Sequence, residues 1–173
     1  MAKENIEIHY LDEDTDMPNN PALPVIVYRK IISGAPEDAA RDFESAFTEH
    51  NWQGSWRGKI FDYHHYHPDA HEVLGIAAGH VDVALGGESG QTFSLNTGDM
   101  VVLPAGTGHK SLSASDDLMV VGAYPAGQEG YTICKNKTEC DNVTSQIASV
   151  PLPAHDPFLG EGGPVIEYWH NTD

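Results

Sequence analysis

Three histidines and one glutamate stand at spacings that could hold a metal ion. The run His65-Tyr66-His67-Pro68-Asp69-Ala70-His71-Glu72 carries His65, His67 and Glu72. The run Gly98-Asp99-Met100-Val101-Val102-Leu103-Pro104-Ala105-Gly106-Thr107-Gly108-His109 ends on the fourth donor, His109. Imidazole and carboxylate donors suit one divalent transition metal: Fe, Mn, Ni, Co, Cu or Zn. Ligand softness does not choose among these. Four protein donors leave positions open on an octahedral ion, which is the arrangement of a reaction centre rather than of a structural clip.

Such a set needs strands to aim it. Alternate side chains of a strand share a face, so His65 and His67 point one way while His64 and Tyr66 point the other. Glu72 lies five residues past His67 and would fall on the wrong face of an unbroken strand. Pro68-Asp69-Ala70 supplies the break that resets the phase. In the second run Gly98 turns the chain, Met100 to Leu103 crosses the barrel, Pro104-Ala105-Gly106 turns it again, and His109 returns on a neighbouring strand.

The same parity names further candidates. Phe61 and Tyr63 fall in phase with His65, and Ser111 and Ser113 with His109. Phe61, Ser111 and Ser113 are therefore candidates to line a substrate pocket, with barrel filling the leading reading for Phe61. Tyr63 is a candidate hydrogen-bond donor to a bound molecule, or else barrel filling. His71 is a candidate proton shuttle or an orienting partner for Glu72, or else a loop histidine. His64 reads as structural, His80 as solvated at a turn, and His50 as a packing residue.

The elements around these residues are mostly strands. Short alternating or apolar runs cut by glycine fall near 56–67, 72–78, 81–85, 91–95, 100–103, 109–113 and 118–123, a spacing that indicates an all-β barrel or sandwich. Residues 24–32 read as a strand by β-branched content. Residues 36–50 form the one convincing helix: Pro36 suits its first turn, Glu37 and Asp38 its positive end, and Ala39, Ala40, Phe43, Ala46 and Phe47 recur at helical spacing. Residues 1–22, acidic at Asp12, Glu13, Asp14 and Asp16, read as an arm or a short edge strand. Residues 124–173 are expected to wrap the barrel and to end in a strand over Val165–Trp169. The organisation expected is thus an acidic arm over 1–22 and one barrel domain over 23–173, with its core about 56–123.

Composition narrows the partners. The chain has 173 residues, with 9 Lys and Arg against 26 Asp and Glu, a formal charge of −17. That balance leaves no basic face for nucleic acid and disfavours anionic membranes. No apolar run is long enough to cross a bilayer, and Met1 to Asn5 lack a signal core, so a cytoplasmic protein is expected. Cys134 and Cys140 read as free thiols in a reducing compartment, although a disulfide between them is open to geometry.

The two runs resemble the two motifs of the cupin superfamily. In the first, His65, His67 and Glu72 match, and Gly79 takes the closing glycine. Lys59 stands where the family has its leading glycine, and Ser113 where the second motif has its closing asparagine; neither departure touches a ligand position. Tyr63 to His67, His71 to Gly75, Gly122 to Pro125, and Asp156-Pro157 through Gly163-Pro164 resemble the bacterial YjlB-like single-domain cupins over residues 22–169. The resemblance implies a double-stranded β-helix, a jelly-roll barrel with one short N-terminal helix and the metal inside. It also implies a possible homodimer, for which strand 24–32 is a candidate to extend a sheet into the partner.

The expected function is a metal-dependent enzyme on a small organic molecule, with dioxygenase or related oxygenase chemistry first. A redox-neutral isomerase or decarboxylase and a non-catalytic binding or sensing module are the alternatives. Phe61, Asp62, Tyr63 and His64 precede His65 without a fixed cation. Arginine commonly stands there in oxalate-degrading cupins, so oxalate chemistry is disfavoured.

Overall fold

The computed structural model describes residues 5–170, so Met1 to Glu4 of the acidic arm lie outside the described residues. The elements in chain order are β1 (Ile6–His9), β2 (Val25–Tyr28), α1 (Pro36–Glu49), β3 (Trp52–Gly58), β4 (Glu72–Ala78) and β5 (His80–Leu85). They continue with β6 (Gln91–Asn96), β7 (Met100–Leu103), β8 (His109–Ala114), β9 (Met119–Pro125), α2 (Val143–Ser149) and α3 (Pro164–Trp169). A six-stranded sheet runs β1-β2-β7-β4-β9-β3, and a three-stranded sheet runs β6-β5-β8. Every strand pair is antiparallel.

Alternation along the strands divides the apolar residues into two cores. Val25, Val27, Leu74, Ile76, Val101, Leu103 and Val120 of the large sheet meet Val81, Val83, Leu85, Phe93 and Leu95 of the small one, filling the barrel. The alternate residues of the large sheet, Ile26, Tyr28, Val73, Ala77, Met100, Val102, Val121 and Ala123, face outward and are covered by α1 and by Val165 and Trp169 of α3. The barrel is therefore apolar in its body, and polar donors can sit at one end without breaking it.

Local chemistry explains the placement of α1. Pro36 starts the helix, Glu37 and Asp38 lie in its first turn, and Ala39, Ala40, Phe43 and Phe47 form its buried stripe. A side chain at Gly75 would come within 2.7 Å of the Phe43 ring, so glycine in β4 is what lets the helix lie down on the sheet.

Several expectations are corrected. The strand expected over Val165–Trp169 is the helix α3. Pro164 opens it, Gly163 caps it, and the buried Asp156 carboxylate accepts from the Val165 amide (3.1 Å). Val165 and Trp169, four apart, are then buried together, so helical spacing overrides β-branched content. The chain thus has three helices among its described residues rather than one. Strand 24–32 stops at Tyr28, because Lys30 adopts a left-handed conformation with its amide held by Asp99 (3.0 Å). It is also no candidate for pairing with a second subunit, since β1 and β7 flank it and β1 holds the sheet edge. The expected strand 56–67 is two pieces: β3 ends at Gly58, and regular pairing resumes only at the bridges of His65 with His109 and Tyr66 with Cys134.

The acidic arm is half strand and half packed chain. β1 pairs with β2, and beyond it Met17 is fully buried. Asp14 accepts from the amide and hydroxyl of Ser89, and these bonds hold its carboxyl down at about 2. Asn19 donates to the Gly86 carbonyl (3.1 Å) and accepts from the Gly108 amide (3.0 Å), tying the arm to the barrel end.

Candidate metal centre

His65, His67 and His109 bring one ring nitrogen each to within 4.8 Å of one another, and all three are buried. Two different segments are joined to make this cluster. His65 and His109 bridge as antiparallel partners, the His109 amide donating to the His65 carbonyl (2.9 Å) and the His65 amide to the His109 carbonyl (3.2 Å). The loop through Pro68 then carries the chain into β4, whose first residue, Glu72, faces the same space. One Glu72 carboxylate oxygen lies 3.3 Å from His109 Nε2 and 3.5 Å from His67 Nε2.

The outer nitrogens fix what the inner ones can do. His65 Nδ1 bonds the Tyr63 carbonyl (2.9 Å), His67 Nδ1 the Thr132 carbonyl (2.8 Å) and His109 Nδ1 the Thr107 carbonyl (2.9 Å). A carbonyl only accepts, so each Nδ1 carries the proton and donates. Each ring thus offers an Nε2 lone pair inward and is held in plane from behind, the arrangement that metal-binding histidines require. With the imidazoles neutral, the set carries a single negative charge, and the Nε2 atoms of His67 and His109 flank the carboxylate while that of His65 lies beside theirs. A divalent cation is the partner that satisfies such a donor set, and the residues fit it.

Electrostatics inside the cluster run the same way. Burial, reinforced by the neighbouring His109, pushes His65 down to about 3 and keeps it a neutral donor. For His67 burial pulls downward, but the Glu72 carboxylate wins and holds it above the usual imidazole range. For Glu72 burial pulls upward, but the adjoining His67 and His109 rings hold its carboxyl well below the usual range. Glu72 is therefore a carboxylate, not an acid, at neutral pH.

The cluster forms the floor of a cavity of about 150 Å³ whose walls include Trp56, Ile60, Phe61, Leu74, Tyr124 and Tyr131. That is smaller than the roughly 300–1,000 Å³ of drug-sized pockets, so it suits a small organic molecule. Trp56 reaches the cavity because Gly122 has no side chain; a Cβ there would stand 2.3 Å from the indole. Its Nε1–H donates to the Tyr124 hydroxyl (2.9 Å). Burial, with the Glu72 carboxylate beside it, pushes the Tyr124 phenol well above its usual range, so it keeps its proton. Tyr131 stacks on Tyr124 at 4.5 Å and meets the His67 ring edge-on at 4.6 Å.

Of the residues expected in the pocket, Phe61 lines it, at a mouth where it is 48% exposed. Tyr63 is not in the lining: it stacks on Phe61 (5.1 Å) and serves His65 through its carbonyl, while Lys135 Nζ sits over its ring at 4.9 Å. Ser111 and Ser113 do not line the cavity either. A bulge between Asp82 and Val83 shifts the pairing of β5 with β8, and Ser113 ends up exposed, bonded to Asp82 (3.2 Å). His71 lies on the other face of the sheet, packed on Trp169 at 4.7 Å. Its Nδ1 accepts from the Ala105 amide (2.8 Å), and burial pushes it down to about 3. Its Nε2 has the Pro151 carbonyl nearby but not in hydrogen-bond geometry, so the structure places His71 in the packing of the outer face, away from the three clustered histidines. His64 pairs with Glu88 (3.0 Å) and His80 is exposed.

Sequence parity missed Tyr124 and Tyr131. Tyr124 shares phase with Val120 of the barrel core and was findable by alternation along β9. Tyr131 sits outside any strand, where alternation says nothing. Cys134 and Cys140, read as thiols, are joined in a disulfide. No helix among the described residues is long and apolar enough to cross a membrane.

Comparisons with known proteins identify a family. A family model described as a cupin domain matches residues 56–122. The uncharacterised protein YjlB of Bacillus subtilis (strain 168) is 37% identical over 163 residues, covering 94% of this chain and 96% of that one. Among solved structures, an acireductone dioxygenase from Bacillus anthracis with a cadmium ion in its active centre aligns at 20% identity and a TM-score of 0.37. That alignment covers 51% of this chain and 60% of the dioxygenase. A DUF861 family protein from Thermotoga maritima aligns at 24% identity and a TM-score of 0.33, over 58% of this chain and 96% of that one.

Proposed function

Because the chain belongs to the cupin superfamily, in its YjlB-like group, we propose that it is a metal-dependent enzyme that acts on a small organic molecule, with oxygenase-type chemistry. The observation that carries this reading is the set of three carbonyl-clamped imidazoles and one ionised glutamate at the floor of an open cavity. A bound divalent ion supplies Lewis acidity there and, where it is redox-active, a path for electrons.

The chain's own residues supply the rest. Tyr63, Thr107 and Thr132 hold the imidazoles in one tautomer through their carbonyls. Glu72 lowers the charge of the loaded site. Tyr124, kept protonated and anchored by Trp56, presents an O–H beside Glu72 that can donate to a bound molecule. Ile60, Phe61 and Leu74 exclude water from the wall. Lys59 is the cation in the lining, yet its ammonium bonds the Asp116 carbonyl (3.3 Å) at an exposed position. The cavity therefore favours a compact, largely apolar or aromatic molecule with few anionic groups.

Elemental analysis of protein purified without an affinity tag is the first test, with about one divalent metal per chain expected. Incubation of the loaded protein under air with Fe(II) or Mn(II), against a panel of small phenols and enolisable ketones, is the second. A molecule that binds tightly and is never changed, across several metals, would sink the enzyme reading in favour of a binding module. Protein that neither contains nor takes up metal would overturn both.

A further inference from the structure

The wall of the cavity on the His67 side, at Tyr131, leads within three residues into a short loop closed by the disulfide Cys134–Cys140. Tyr131 covers His67, Thr132 supplies the carbonyl that orients it (2.8 Å), and Cys134 follows two residues later. Cys134 is also bound to the ligand-bearing strand: its amide donates to the Tyr66 carbonyl and the Tyr66 amide to its own carbonyl, each at 2.9 Å. Inside the ring the disulfide closes, the Tyr66 hydroxyl donates to the Asn136 carbonyl (2.8 Å). Tyr66 stands between His65 and His67 in sequence, so the disulfide ring is bound to the ligand-bearing chain at the residue between them.

On the strength of the metal-site reading above, we propose that Cys134–Cys140 is a redox-responsive clasp that sets the affinity of the metal centre. Two features of its surroundings carry the inference. Cys134 is fully buried in a small cluster with Met17, Tyr66, Val143 and Ile147, while Cys140 is only half-buried at the cluster's edge. Cys140 is therefore the less enclosed end of the bond, the end at which an attacking thiolate would arrive. Apart from the bridge of Cys134 with Tyr66, the chain around Cys134 is tied mainly by exposed bonds, Thr132 to Asp69 (2.9 and 2.7 Å) before it and Lys135 to Glu139 (2.7 Å) inside the ring. Segments of that kind open first when a cross-link is lost.

The step balances with a dithiol as reductant. One dithiol sulfur attacks Cys140 Sγ, the Cys134–Cys140 bond breaks, and Cys134 leaves as a thiolate that takes a proton. The second dithiol sulfur then closes on the first, releasing Cys140 as a thiol. The dithiol is oxidised to its own disulfide, and the protein gains two electrons and two protons. With the ring open, Thr132 is held only through Asp69 and through the bridge of Cys134 with Tyr66, and the carbonyl that fixes the His67 tautomer is positioned less firmly. The loss of such an orienting partner typically lowers metal affinity about 10- to 100-fold.

The test is a competition titration with Co(II) or Zn(II) against a chromophoric chelator. It uses the full chain oxidised, and the full chain reduced with dithiothreitol and desalted under argon, with thiols counted by alkylation and mass. Cys140→Ser serves as a permanently open clasp. Reduced protein and Cys140→Ser should both bind about tenfold or more weakly than oxidised protein, and Cys140→Ser should not respond to dithiothreitol. Affinities of the oxidised and reduced forms within twofold of each other overturn the clasp and leave the metal site standing. Metal binding by neither form overturns both readings. If Cys140→Ser does not fold by circular dichroism, the oxidised and reduced forms of the unaltered chain decide the matter. Asp69→Ala, which releases the other tie on Thr132, should then widen the gap between them.

Discussion

Along β4, Glu72, Leu74 and Ile76 point into the barrel, while Val73 and Ala77 meet α1 on the outside and Gly75 makes room there for Phe43. His71, just before the strand, shares the outer face with Trp169. The two faces thus hold buried ionisable neighbours, His71 and Glu72, in opposite circumstances. On the inner face each ligand imidazole donates from Nδ1 to a carbonyl and leaves Nε2 bare toward an open cavity. On the outer face His71 accepts at Nδ1 from the Ala105 amide, so its proton sits on Nε2, against a closed wall. The same residue type presents a bare Nε2 to the cavity on one face and packs against a closed wall on the other, and the backbone group behind the ring decides which.

The sharpest way to break this comparison is to empty the inner face. His65→Ala with His67→Ala should reduce bound metal from about one per chain to background by elemental analysis. The far-ultraviolet circular dichroism should stay that of the unaltered barrel, because the barrel core is apolar and lies beyond the ligands. Unfolding of the double variant would show that the metal face carries the fold as well.

The outer face should behave in reverse. Trp169 is fully buried against the outer core, and its Nε1–H donates to the Pro24 carbonyl (3.0 Å). Trp169→Ala should cost about 3–5 kcal/mol in denaturant unfolding and leave metal stoichiometry at one. Loss of metal with retained stability would mean that the two faces are not separate.

A smaller effect lies at the arm, outside both faces. The bonds from Ser89 hold Asp14 at about 2, below the ordinary carboxylate value, so the folded chain releases this proton more readily than the unfolded one. Its stabilisation is fully present above the ordinary value of 3.8 and is lost as pH falls through about 2. Asp14→Asn should therefore destabilise the protein by on the order of 2 kcal/mol at neutral pH, with the difference closing in acid melts below that window. A difference that stays constant with pH would assign the effect to packing instead.

Tyr124→Phe probes the inner face more gently. It removes the acceptor of the Trp56 indole N–H and the phenol beside Glu72 while keeping the ring stacked on Tyr131. Stability should fall by about 1 kcal/mol and metal affinity by no more than about tenfold, whereas turnover, once a substrate is in hand, should fall further. Equal losses in affinity and turnover would reduce Tyr124 to a ligand support.

Most of the strand framework and α1 were legible because they rest on local signals: alternation, turn glycines, and a proline with acids at a helix start. The residues of the metal cluster were legible for the same reason, since His65 and His67 share a phase and the break at Pro68 explains Glu72. What stayed hidden depends on partners far away in the chain. Val165–Trp169 reads as a strand until Asp156 is seen capping it as a helix. His71 reads as a catalytic neighbour of Glu72 until Trp169 and Ala105 are seen to enclose it. Tyr131 and the cysteine pair lie in irregular chain, where no periodicity reports direction.

Ser113 gives the smallest effect and a direct test of where parity fails. Counting by twos from His109 puts Ser111 and Ser113 beside the metal. Register along β8 follows that count only as far as Ser111, opposite Val83; the next partner, Asp82, stands opposite Ser113 with Leu112 left over. One extra residue turns every later side chain to the other face. Ser113 then meets water and the exposed Asp82 carboxylate, whose pKa its hydroxyl helps to lower. Ser113→Ala should change stability by less than about 0.5 kcal/mol and leave metal affinity unchanged. A measurable loss of metal in that variant would restore the unbroken register and put Ser113 back in the pocket.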